Sequence, residues 1–125
     1  MLIISKNIFE DNRGKSYTFN FDENIKESNI TITKAGSKRG FHYHKNTVEY
    51  ILVISGEIKL YLINLLTSHD KIKNYVLKEN EMIKIDPFIF HWSEFDKDTV
   101  YINFLNNQFN KKNPDLLTLE EWKKD

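Results

Sequence analysis

The fold and the candidate site follow from one stretch of sequence, Arg39-Gly40-Phe41-His42-Tyr43-His44. Its two histidines are two residues apart, so that on a β-strand both side chains leave the same face. Glu49 follows at the start of an apolar run, and His91 comes much later in the chain. Three imidazoles and a carboxylate can surround a transition metal, or they can act as the acid–base groups of a metal-free pocket.

Glu49 belongs to an apolar run, residues 48–54, in which it shares a strand face with Ile51 and Val53. An ionised carboxylate that lies in line with core aliphatic side chains is costly unless it is paired or bound to a cation. The pattern therefore favours a Glu49 that lines a cavity. An outward-facing Glu49 on a surface strand is the alternative.

Composition limits the class of protein. A chain of 125 residues fits one domain, which we expect to span residues 1–125. Its 18 basic and 18 acidic residues balance without a charged block, so neither a nucleic-acid nor a membrane partner is indicated. The absence of cysteine excludes disulfides and thiolate metal sites. The apolar start is too short for a signal peptide, so we expect a cytoplasmic protein.

Short runs rich in β-branched and aromatic residues dominate the chain and predict β-strands. These runs are residues 17–21, 30–33, 48–54, 57–63, 74–77, 82–85 and 99–105. Ser55-Gly56, between two of them, predicts a tight hairpin turn. The spacing from Thr118 to Glu121 is that of a capping box and predicts a short C-terminal helix. The pattern as a whole predicts an all-β barrel or sandwich.

Five positions resemble the first sequence motif of the cupin superfamily, and all five match: Gly36, His42, His44, Glu49 and Gly56. The resemblance implies a single cupin-type β-barrel or jelly roll.

The second cupin motif is degenerate in this chain. Pro87 is present, but Glu81 and Ile89 stand where the motif has glycines. His91 comes one residue early, and Phe95 replaces an asparagine.

Three further segments resemble one branch of cupins, which epimerise or isomerise nucleotide-linked keto sugars. Arg39-Gly40-x-His42 and residues 85–91 are similar to dTDP-4-dehydrorhamnose 3,5-epimerases and WxcM-like 3,4-ketoisomerases, and residues 11–14 with 27–29 resemble the start of the epimerases. Residues 107–115 are similar to the tail of metal-bearing capsular-polysaccharide cupins.

This resemblance implies an enzyme that acts on a nucleotide-linked 4-keto-6-deoxy sugar in surface-polysaccharide or glycan biosynthesis. It would remove a proton next to the ketone. Arg39 and Arg13 would hold the diphosphate of the nucleotide sugar, with Tyr43 as a further substrate contact. Related cupins pair through their N-terminal strands, so a homodimer is expected.

The set His42, His44, Glu49 and His91 favours a divalent transition metal, Zn, Fe, Mn or Ni, over a site without a cofactor. His42 resembles the base of the metal-free epimerases, but a ligated imidazole is a poor base. If the metal is bound, Tyr101 is a candidate for the base. Two other functions stay open at this point: a metal-dependent cupin oxygenase, and a non-catalytic cupin that binds a sugar or a metal.

Overall fold

Eleven β-strands and no helix make up the described part of the chain, which is residues 2–4, 7–67 and 71–119 of a computed structural model. The strands are β1 Leu2–Ile4, β2 Asn7–Asp11, β3 Gly14–Thr18, β4 Glu27–Thr33, β5 Lys38–His42, β6 Glu49–Ser55, β7 Glu57–Asn64, β8 Lys73–Lys78, β9 Met82–Ile85, β10 Ile89–Glu94 and β11 Thr99–Leu105. The predicted all-β class is confirmed. These residues include no helix of the length and apolarity that crossing a membrane requires.

Two antiparallel sheets enclose the core. One has the order β1-β9-β6-β11-β4 and the other the order β5-β10-β7-β8, while β2 and β3 form a separate hairpin. Many inward-facing side chains of the two sheets form one buried cluster: Ile51, Val53, Ile58, Leu60, Leu62, Leu77, Ile83, Ile85, Ile89, Phe95 and Tyr101. This is the jelly-roll arrangement that the cupin resemblance implies.

Strand β7 shows why these sequences form a half-buried sheet. Ile58, Leu60 and Leu62 are buried, and they alternate with Lys59 and Tyr61, which are half-buried. Side chains along a strand point to opposite faces with a period of two, so this alternation directs one set into the core. Each buried aliphatic side chain contributes about 1.5–3 kcal/mol to folding.

The chain passes from one sheet to the other at Ser55-Gly56. Strand β6 ends at Ser55 in the five-stranded sheet, and β7 begins at Glu57 in the four-stranded sheet. The predicted hairpin is therefore wrong, because a strand pattern does not show which sheet the next strand joins. Gly56 has a φ angle of +91°, and a Cβ atom there would lie 2.4 Å from Thr99 Oγ1. Only glycine fits this corner.

The C-terminal strap, residues 106–118, runs back along the end of β5. Tyr43 and Leu117 exchange backbone hydrogen bonds of 2.8 and 2.9 Å, and Thr118 Oγ1 donates to the Phe41 carbonyl at 2.8 Å. Thr118 and Leu119 are not helical. The remainder of the predicted C-terminal helix, from residue 120 onwards, lies outside the described residues.

Candidate active site

The four predicted metal ligands come together at one end of the core. One ligand atom of each of His42, His44, Glu49 and His91 lies within 4.8 Å of the others. His42 ends β5 and is the register partner of His91 on β10, while Glu49 is the first residue of β6 in the opposite sheet. Three of these side chains are buried, and His42 is half-buried. The two sheets thus contribute to one cluster.

Glu49 is held on both of its carboxylate oxygens. Oε1 lies 3.3 Å from the Nε2 atoms of both His44 and His91. Oε2 accepts a hydrogen bond from Asn103 Nδ2, and Asn103 Oδ1 in turn accepts from Thr31 Oγ1 at 3.4 Å. Asn103 is not among the predicted site residues. Its only signal in the sequence is a polar side chain in the apolar run of β11, on the same face as Tyr101.

Backbone carbonyls orient two of the histidine rings. His44 Nδ1 lies 2.6 Å from the carbonyl oxygen of Asp115, and His91 Nδ1 lies 2.9 Å from that of Ile89. A carbonyl only accepts, so both Nδ1 atoms carry hydrogen, and a neutral ring leaves a lone pair on Nε2.

Those two lone pairs point towards the same carboxylate oxygen, Glu49 Oε1. The contact is repulsive unless a cation or a proton lies between the groups. His91 Nε2 is buried and has no hydrogen-bond partner. Histidine ligands of metals commonly donate their other ring nitrogen to a carbonyl or carboxylate, as these two do. The residues therefore fit a divalent metal ion.

The electrostatics of the cluster suit a cation as well. Burial and the neighbouring His91 lower the pKa of His42 to about 4, so its ring is neutral at pH 7. Burial acts to raise the pKa of Glu49, but the contacts with His44 and His91 outweigh it and hold that pKa well below its usual range. For His44, burial acts to lower the pKa, yet the hydrogen bond and charge of Glu49 raise it above its ordinary value, so a proton on Nε2 and a metal ion are alternative partners for Glu49.

Two residues with a left-handed backbone conformation come directly before the positions where the second cupin motif has its glycines. Asn80, with φ of 65°, precedes Glu81, and Phe88, with φ of 62°, precedes Ile89. Asparagine tolerates this conformation, whereas a bulky aromatic residue there is a genuine outlier. Phe88 is held by a 2.7 Å hydrogen bond from its backbone N–H to the carbonyl of His44. The degenerate motif thus keeps its turns without its glycines.

A cavity of about 440 Å³ adjoins the cluster. His42, His44 and Glu49 form part of its wall. The remaining described residues of the lining come from the inner face of β4, from β11, from the segment after His44 and from the strap: Glu27, Asn29, Ile30, Thr31, Thr47, Asn103, Leu105, Asn107, Gln108, Phe109, Asp115 and Leu116. The cavity gives a small molecule access to the candidate ligands.

The two tyrosines predicted for the site lie outside the described lining of this cavity. Tyr43 packs in a cluster with its ring centroid 6.1 Å from that of Phe88. Tyr101 is 7% exposed and stacks on Phe95 at 5.7 Å. Burial raises the pKa of Tyr101 above its ordinary value.

The two arginines also lie outside the described lining of this cavity. Arg39 Nε donates to Thr33 Oγ1 at 2.8 Å. The side chain of Arg13 is 83% exposed and forms a 2.6 Å ion pair with Asp11 in the β2–β3 turn. The roles predicted for the arginines and tyrosines stay predictions.

Antiparallel sheets of this topology, around a buried cluster of three histidines and one glutamate, define the protein as a cupin. Within this class, the chain belongs to the polysaccharide biosynthesis C-terminal domain family, which matches residues 9–117. No curated protein matches its sequence.

Among the solved structures that share the fold is CapF, a capsular polysaccharide assembling protein from Staphylococcus aureus. It is 27% identical with a TM-score of 0.70, and the match covers 93% of this chain and 34% of CapF. The chain therefore spans about a third of the length of CapF. CapF has also been solved with the inhibitor 3-isopropenyl-tropolone.

Two smaller enzymes are also similar in structure. A 3,4-ketoisomerase from Helicobacter canadensis is 17% identical with a TM-score of 0.83, covering 96% of this chain and 91% of the enzyme. The dTDP-4-dehydrorhamnose 3,5-epimerase from Bacillus anthracis, solved with TDP and pyrophosphate, is 17% identical with a TM-score of 0.77, covering 88% and 74%. At this identity the likeness shows the fold alone.

Proposed function

We propose that this chain is a metal-dependent cupin that epimerises or isomerises a nucleotide-linked 4-keto-6-deoxy sugar in surface-polysaccharide or glycan biosynthesis. One observation carries the proposal. Two imidazole Nε2 atoms lie 3.3 Å from the same oxygen of a buried carboxylate in the wall of a 440 Å³ cavity. The family of the chain supports the polysaccharide context. CapF supports the same context, and the ketoisomerase and the epimerase support the class of substrate.

The donor set would be His42, His44, His91 and Glu49, which suits Zn, Fe, Mn or Ni. When bound, the metal would supply positive charge that stabilises the enolate oxygen formed from the ketone. The homodimer and the cytoplasmic location remain part of the proposal.

His42 suits the role of a ligand better than that of a base. A ligated imidazole has no free lone pair to accept a proton, so His42 cannot act as ligand and base at once. Its pKa of about 4 keeps the ring nitrogen free of protons for a metal at pH 7.

The direct test follows solvent deuterium. Protein purified without an affinity tag is first analysed for bound metal, and we expect about one divalent transition metal per chain. The metal-loaded protein is then incubated in D₂O with a panel of nucleotide-linked 4-keto-6-deoxy sugars. Deuterium should appear at the carbon next to the ketone.

Glu49→Gln should lose both metal and exchange, whereas Glu10→Gln, on exposed strand β2, should keep both. No deuterium uptake by the metal-loaded wild type across the panel would refute the proposed function. Oxygen consumption with the same sugars would indicate an oxygenase instead, and tight binding without exchange would indicate a binding protein.

A further inference from the structure

The proposed reaction needs a proton acceptor in the cavity that does not also hold the metal. Five described side chains of the lining have a titratable acceptor: His42, His44, Glu49, Glu27 and Asp115. The first three belong to the candidate metal cluster. The choice therefore lies between Glu27 and Asp115.

The carboxylate of Asp115 already accepts three hydrogen bonds. Its Oδ1 accepts from Lys45 N at 2.8 Å, and its Oδ2 accepts from Asn46 N and Thr47 Oγ1, each at 2.8 Å. These three donors stabilise the carboxylate as an anion and tie it to the loop after His44. A carboxylate that is bound so fully makes a poor proton acceptor.

Glu27 lies on the same wall of the cavity as Glu49, two strands away. It begins β4, where its register partner on β11 is Leu105, and Leu105 is in turn the partner of Glu49 on β6. All three residues line the cavity, so their side chains leave the same face of the sheet. Because neighbouring strands are about 4.8 Å apart, the backbones of Glu27 and Glu49 are separated by roughly 10 Å. Leu105 lies between them, so a sugar ring that rests on Leu105 would lie between the two carboxylates.

Each oxygen of the Glu27 carboxylate accepts one hydrogen bond from the described residues. Oε1 accepts from the backbone N–H of Phe109 at 2.9 Å, and Oε2 accepts from Asn29 Nδ2 at 3.1 Å. One donor to each oxygen fixes the direction of the group and leaves a lone pair on each oxygen for a substrate proton.

We propose that Glu27 is the catalytic base of the sugar reaction, an inference that rests on the proposed function. The proton of the C–H bond next to the ketone moves to a Glu27 oxygen. The C–H electron pair becomes a carbon–carbon double bond, and the carbonyl π pair moves to its oxygen. Return of a proton to carbon regenerates the ketone, so the reaction involves no net oxidation or reduction.

The test compares deuterium exchange in Glu27→Gln with that in two other variants. Glutamine keeps an oxygen that can accept from Phe109 N but cannot take up the proton. We expect at least a 100-fold slower exchange, since general base catalysis contributes about 10²–10⁴-fold. Metal content and KM should stay within about twofold. Glu23→Gln is the matched control, because Glu23 contacts the strap through Asn106 but does not line the cavity.

Tyr101→Phe tests the base predicted from the sequence. Deuterium exchange at the wild-type rate in Glu27→Gln would overturn the inference. Loss of exchange in Tyr101→Phe but not in Glu27→Gln would overturn it as well. Loss of bound metal together with exchange in Glu27→Gln would also overturn it, because the residue would then be structural. If Glu27→Gln does not fold, Glu27→Asp withdraws the carboxylate by one methylene. It should slow exchange at least 10-fold, and wild-type exchange there would overturn the inference too.

These results separate the two proposals. Absence of exchange in the wild type refutes the proposed function, whereas exchange in the wild type that persists in Glu27→Gln refutes only the role of Glu27.

Discussion

His44 Nδ1 donates a 2.6 Å hydrogen bond to the main-chain carbonyl of Asp115, a residue 71 positions further along the chain. The bond directs the opposite nitrogen, Nε2, to within 3.3 Å of Glu49. The C-terminal strap is therefore part of the candidate metal site, although it supplies no ligand itself. Its position controls which nitrogen of His44 is available.

The first prediction concerns this strap. In Asp115→Ala the carboxylate loses its bonds to Lys45 N, Asn46 N and Thr47 Oγ1, so the strap and the loop after His44 separate more easily. We expect a loss of about 2–3 kcal/mol in the free energy of unfolding, measured in urea. Metal affinity, measured by competition with a chelator, should fall about 10-fold, as with other groups that orient metal ligands.

Asp22→Ala is the control for this change, because the Asp22 side chain is 82% exposed and forms only a 3.7 Å ion pair with Lys84. It should change stability by less than about 0.5 kcal/mol. Equal effects of the two substitutions would show that the strap does not support His44.

The second prediction concerns Asn103, which donates to the outer oxygen of Glu49. Asn103→Ala removes this donor, and metal affinity should fall by about 10–100-fold with little change in overall fold. Asn103→Asp also removes this donor, but its negative charge attracts the cation and should offset part of the loss in affinity at pH 8.

Lowering the pH towards 6 should narrow the difference in metal affinity between Asn103→Asp and Asn103→Ala. Asn74→Ala, at an exposed position of β8, is the control. Unchanged metal affinity in both Asn103 variants would mean that Glu49 does not need this partner.

The third prediction is a pH dependence of stability in the metal-free protein. The pKa of His42 falls from 6.5 to about 4 on folding, so at pH 5 the unfolded chain binds a proton that the folded chain does not. Stability due to this group is therefore lost as the pH falls from 6.5 towards 4, by up to about 2 kcal/mol at pH 5.

The raised pKa of His44 acts in the opposite direction, since it stabilises the fold at low pH. The contribution of His42 must therefore be isolated with His42→Gln. We compare the free energies of unfolding of this variant and the wild type in urea with a chelator present. The difference, variant minus wild type, should rise by about 2 kcal/mol when the pH is lowered from 7 to 5. The same difference in free energy of unfolding between variant and wild type at both pH values would contradict the lowered pKa of His42.

The fourth prediction separates backbone strain from steric clash at two cupin glycines. Both have positive φ angles, +87° at Gly36 and +91° at Gly56, but a Cβ would meet nothing within 4 Å at Gly36. Gly36→Ala should cost only the left-handed backbone, about 1–2 kcal/mol. Gly56→Ala adds the clash with Thr99 and the Asp98 carbonyl and should cost clearly more. Similar thermal unfolding temperatures for the two variants would show that the corner between the sheets can adjust.

The sequence by itself predicted most of the core strands and the residues of the candidate metal cluster. It missed β2 and β10, and of the strand predicted over residues 17–21 only Tyr17 and Thr18 belong to β3. Period-two alternation is local, so β7 and the inward direction of Glu49 could be predicted from a few neighbouring residues. The glycine and histidine spacings were also sufficient to predict a cupin barrel, and the solved structures confirm that fold.

Only the tertiary structure decided what those residues meet. The register across β4, β11 and β6 places Glu27 two strands from Glu49 on the same face of the sheet, and Asp115 reaches His44 from 71 residues away. Asn103 likewise becomes a partner of Glu49 only when β11 lies beside β6. Strand patterns specify which face a side chain takes, but not which strand lies next to it. Pairing between distant strands therefore determines the environment of the site.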